Sequence, residues 1–71
     1  MAMQKLANQL AQTMRRLRGD ASQREFARKL GISVATLSRI ESAQQNVSLA
    51  TLERMCVRLK CKVGTLFGES S

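Results

Sequence analysis

The chain contains no histidine, proline, tryptophan or tyrosine, and sets only five acidic residues against twelve lysines and arginines in 71 residues. Without histidine, the side chain that most often moves protons near neutral pH is missing. Asp20, Glu25, Glu41, Glu53 and Glu69 include no adjacent pair and no HExxH or calcium-loop spacing, so an enzyme is the least expected reading. Cysteine is scarce as well. Cys56 and Cys61 lie five apart with no other soft ligand in the chain, which excludes a four-ligand zinc site and a CxxC redox pair. They read as small apolar core residues in a reducing compartment. No stretch approaches the ~20 apolar residues of a membrane span. No cofactor, metal or small-molecule ligand is expected, and the expected location is cytoplasmic.

What is present narrows the field further. A chain of this length is expected to be a single domain, residues 1–71, with a thin stability margin. A hydrophobic content of 44% is too high for a basic disordered tail. The formal charge of +7 points to a polyanionic partner.

Hydrophobic spacing is helical throughout. Leu6, Leu10, Met14 and Leu17 recur at four, four and three residues, predicting a first helix over about Gln4 to Arg18 that Gly19-Asp20 ends. Ser22-Gln23-Arg24-Glu25 has the capping-box pattern and opens a second helix with Phe26, Ala27 and Leu30 inward. Gly31-Ile32 then separates it from Ser33, the cap of a third helix whose inward positions are Ala35, Leu37 and Ile40. Two short helices joined by a Gly-containing turn make a helix-turn-helix, about residues 22–42. Ser48 caps a fourth helix with Leu49, Leu52, Met55, Cys56 and Leu59 as its stripe. Val63 to Phe67 forms a short fifth, which Gly64 weakens. The expected class is all-α.

Ser22 to Glu41, read as one string (SQREFARKLGISVATLSRIE), resembles the Cro/repressor type of helix-turn-helix, the XRE family. Ser48-Leu49, Thr51-Leu52, Leu59 and Leu66-Phe67 fall where that family places its fourth and fifth helices. The resemblance implies a five-helix lambda-repressor-like domain that binds double-stranded DNA and regulates transcription, in a bacterial or phage nucleoid setting. By the same resemblance, the helix from Ser33 to Ser42 enters the major groove. Its outward side chains Ser33, Val34, Thr36, Ser38 and Arg39, with Ala35 in part, are the candidate base readers. Arg39 suits guanine O6 and N7, and Val34 a thymine methyl. Gln23, Arg24, Arg28, Ser42, Gln44, Gln45 and Asn46 are candidate backbone contacts, with Gln23 also bracing the reading helix. Arg16 and Glu41 match a structural ion pair of the family.

The family pattern is not followed everywhere. Ala43 stands where relatives usually have Gly, and Val47 where they often have Pro. Residues 57–71, with Val57, Val63 and Phe67, are the candidate dimerisation segment. A homodimeric repressor or controller acting on an inverted-repeat operator is the leading expectation. An antitoxin that binds a protein partner and its own promoter is the alternative.

Overall fold

The computed structural model describes residues 2–44 and 47–68. These residues form five helices and no strand: α1 (Ala2–Arg18), α2 (Gln23–Leu30), α3 (Val34–Glu41), α4 (Leu49–Leu59) and α5 (Val63–Leu66). No helix among them is long and apolar enough to cross a membrane.

Each of the three central helices starts on a serine. Ser22 Oγ accepts from the Glu25 amide at 3.0 Å, and Glu25 Oε1 accepts from the Ser22 amide at 3.3 Å, which completes the capping box. Ser33 and Ser48 accept from the amides of Thr36 and Thr51 at 3.0 and 3.1 Å. These side chains satisfy amides that a helix start leaves without partners.

The same three helices end alike. At α2 the Gly31 amide reaches Arg28 O and the Ile32 amide reaches Ala27 O; at α3 Ala43 reaches Ile40 O and Gln44 reaches Arg39 O. At α4 the bonds run from Lys60 to Val57 O and from Cys61 to Cys56 O. This is the Schellman pattern, which needs one left-handed residue. Gly31 supplies it at φ 74°, but Ala43 and Lys60 supply it at 59° and 55° without being glycine. The α3 corner thus turns as the family's Gly would turn it, at a steric cost that Ala bears.

Leu10, Met14, Phe26, Ala27, Leu30, Leu37, Ile40, Met55 and Leu66 form one core. α3 packs against both α1 and α2, α4 against α2, and α5 against α1 and α4. The buried stripe of α1 is Ala7, Leu10, Ala11 and Met14, whereas Leu6 and Leu17 are exposed. Leu49 is also exposed rather than part of the α4 stripe, because it occupies the first helical turn beyond the reach of the core. Ala35 likewise faces out. α5 is a single turn, anchored by the fully buried Leu66.

Candidate nucleic-acid interface

α3 is held from behind by a carboxylate. Glu41, its last residue, is 94% buried by side-chain exposure of 6% and accepts hydrogen bonds from two neighbouring elements. Arg18 Nε donates to Oε2 at 2.8 Å and Arg18 Nη2 to Oε1 at 3.0 Å, a two-pronged contact from the end of α1. Gln23 Nε2, from the first residue of α2, donates to Oε1 at 3.1 Å. Arg15 Nη2 donates to the Glu41 carbonyl, and Arg18 Nη1 to Ala21 O at 3.0 Å. Burial alone pushes the Glu41 carboxyl up. Hydrogen bonds from Arg18 and Gln23, and the charges of Arg18 and Arg15, outweigh it and hold the group below the usual carboxylate range. The same bond to Glu41 raises Arg18, which stays charged.

The pair expected between Arg16 and Glu41 is therefore corrected to Arg18 and Glu41. The reason is helical phase. Arg18 is four residues beyond the buried Met14 and shares its face, whereas Arg16 is two beyond and points away. Arg16 instead borders a hollow with Gln9, Gln12, Thr13, Phe67 and Gly68, on another side of α1.

With Leu37, Ile40 and Glu41 turned inward, the opposite face of α3 is open. Val34, Ala35, Ser38, Arg39 and Ser42 are exposed along it, and Thr36 is half-buried at its edge. Val34 is 40% exposed despite being aliphatic. Ser33 Oγ also donates to Thr36 Oγ1 at 2.9 Å, so these two hydroxyls serve the helix start before any external group. Arg39, Thr36 and Gln44 meet at one shallow depression with Ile40 and Val47. Arg24 and Arg28 are exposed on α2, one turn apart. Gln45 and Asn46 lie outside the described residues.

Two arginines that the sequence reading left unassigned hold the turn. Arg58 Nε and Nη2 donate to the carbonyls of Lys29 and Arg28, both at 3.1 Å, and Arg54 Nη1 donates to Gly31 O at 3.2 Å. They bring positive charge to the C-terminal end of α2, where the helix dipole is negative. A Cβ at Gly31 would stand 3.2 Å from Arg58 Nε and 3.4 Å from Arg54 Cδ. Glycine here therefore serves both the left-handed turn and the close approach of α4. The spacing of Arg54 and Arg58 on α4 carries no mark of this role, which depends on the packing of α4 against α2.

A family model described as a helix-turn-helix domain matches residues 9–66, which run from the middle of α1 to the end of α5. The chain belongs to the helix-turn-helix domain family. No curated protein and no solved structure matches it. The match takes in every described element that frames α3, in keeping with the Cro/repressor resemblance and with a DNA-binding regulator.

Proposed function

We propose that this helix-turn-helix domain is a sequence-specific transcriptional regulator that reads double-stranded DNA with the open face of α3. The observation that carries the reading is the two-sidedness of that helix. Its inner face is fixed to α1 and α2 through Glu41, and its outer face offers small side chains around a single guanidinium. A rigid helix with a low outer profile can approach base edges closely, and one arginine fork can read a guanine.

In this reading Ser33, Val34, Ala35, Thr36, Ser38 and Arg39 face the bases, with Arg39 the principal reader and Val34 placed for a thymine methyl. Gln23, Arg24, Arg28, Ser42 and Gln44 hold the phosphates, joined by Gln45 and Asn46. An amide carries two N–H donors, so Gln23 can keep Glu41 and still offer one to a phosphate.

The working unit is a homodimer on an inverted repeat. Val57 and Val63 are 70% and 54% exposed and Phe67 is half-buried, which leaves apolar side chains in this segment for such an interface. A domain of 31 × 24 × 23 Å lets two copies abut with reading helices one DNA turn, ~34 Å, apart. Dimerisation also supplies area, since one module alone covers ~600–1,000 Å² of protein surface, the low end for specific recognition.

The test is selection of bound genomic fragments by purified protein at ~150 mM salt, where purely ionic binding is suppressed. Recovery of an inverted repeat with half-sites one turn apart supports the reading. Recovery of random fragments overturns sequence specificity. With ~4 phosphates neutralised per subunit, log K should fall with log salt at a slope near −7.

A further inference from the structure

The Schellman corner at the end of α4 has an unusual pair of side chains. In this motif the residue three before the cap and the second residue after it come into side-chain contact, which is ordinarily apolar. At α2 these positions are Ala27 and Ile32, whose main chains bond at 3.0 Å. At α4 they are Cys56 and Cys61, whose main chains also bond at 3.0 Å. Both thiols are free and each cysteine is half-buried at the edge of the core.

We propose that Cys56 and Cys61 form a thiol-oxidation site, in which a hydroperoxide converts the pair to an intramolecular disulfide across the α4–α5 corner. The geometry admits the bond. A main-chain hydrogen bond between two residues caps their Cα separation at about 7 Å from standard bond lengths, the outer limit for a disulfide. The left-handed Lys60, φ 55°, folds the chain back so that the two side chains face one another.

The chemistry proceeds in two displacements. A thiolate sulfur attacks the peroxide; an S–O bond forms, the O–O bond breaks, and the departing oxygen takes up a proton to leave as alcohol or water. The second sulfur then attacks the sulfenic acid; the S–S bond forms, the S–O bond breaks, and water leaves with the second thiol's proton. The two sulfurs together lose two electrons and the peroxide gains them. Burial, followed by the neighbouring Cys61 sulfur and Glu53, pushes the Cys56 thiol up. That disfavours Cys56 as the attacking thiolate.

The experiment treats the full chain with hydrogen peroxide and follows free thiols and intact mass, with peptide mapping of the product. The expected product is monomeric, lighter by two hydrogens and linked between Cys56 and Cys61, and its yield is unchanged on dilution. With a sulfenic-acid trap present, the second thiol should capture the sulfenic acid about tenfold more effectively in the folded chain than in guanidinium, where the corner is lost. Lys60→Gly, which keeps the left-handed residue, should retain that capture, and Lys60→Val should weaken it several-fold while the helical circular dichroism persists. Covalent dimers, sulfinic acids without a cross-link, or equal capture in folded and unfolded chains would each overturn the proposal.

Discussion

Gln23, the first residue of α2, donates its side-chain amide to Glu41, the last residue of α3, at 3.1 Å. The contact ties the start of the helix-turn-helix to its end, so the angle between the two helices is set by a polar contact as well as by Leu30, Leu37 and Ile40. Gln23→Ala should remove one hydrogen bond to a charged carboxylate, worth about 2 kcal/mol of stability. It should also weaken binding to all DNA sites about equally, because phosphate contacts position a protein without reading sequence. Binding measured against a panel of single-base operator variants checks this; a changed preference at one base would show that Gln23 reads sequence.

Glu41 carries the stability of α3 in a pH-dependent way. Its folded carboxyl lies below the usual range. A group depressed in this manner contributes stability above its unfolded pKa, ~4.3, and loses that contribution as pH falls through the folded value. The melting temperature of the wild-type chain should therefore drop as pH falls below about 4, and Glu41→Gln should flatten that limb. At pH 7 the substitution should cost about 2 kcal/mol, the range for hydrogen bonds to a charged group, or ~8–16 °C in a domain of this size. Thermal melts of both chains from pH 7 to acid provide the comparison.

Arg18 and Arg16 separate a structural from a surface role. Arg18→Met should lower the melting temperature, since it leaves the Glu41 carboxylate without its charged partner and the Ala21 carbonyl without its side-chain donor. Arg16→Met should leave it close to wild type, because an exposed substitution away from such contacts changes little. Equal loss in the two variants would reject the assignment of Arg18 as the partner.

How far these roles can be read from the residues differs from one to the next. Ser22 with Glu25, Ser33 and Ser48 are legible because capping is local: donor and acceptor lie within three residues of each other. The stripe of Leu10 and Met14 is legible for the same reason, and extending it by four residues leads to Arg18. Family likeness points instead to Arg16, and helical phase decides against it. Arg54 and Arg58 are different in kind. Their acceptors are the carbonyls of Arg28, Lys29 and Gly31, 23 to 30 residues away in the chain, and nothing near them in sequence reports that contact. The exposure of Leu49 is likewise a tertiary outcome, since its spacing fits the stripe but the first turn of α4 lies beyond the core.

Ala43 offers a stabilising change. It occupies the left-handed position of the α3 corner at φ 59°, where an L side chain costs roughly 1–2 kcal/mol and glycine little. Glycine's greater freedom in the unfolded chain offsets about 0.4–1 kcal/mol of that. Ala43→Gly should therefore gain about 0.5–1 kcal/mol, a rise of some 2–8 °C in melting temperature, with no change in the DNA sequence preferred. A melting temperature at or below wild type would show that the corner relaxes away from the left-handed form.

Arg39 and Val34 are the pair on which base recognition turns, and their removal should have different signatures. Arg39→Ala deletes the only guanidinium on the open face of α3. It should relax preference at one base pair per half-site, by about 1–3 kcal/mol against the best base, and leave the other positions unchanged. Val34→Ala keeps the helix and its Ser33 cap but shortens the apolar contact, so it should lower only the advantage of a thymine over a cytosine at its own position. Both effects are read from binding to a complete set of single-base operator variants at fixed salt. A uniform loss across the set for Arg39→Ala would make it a phosphate contact and move the reading role to the small residues beside it.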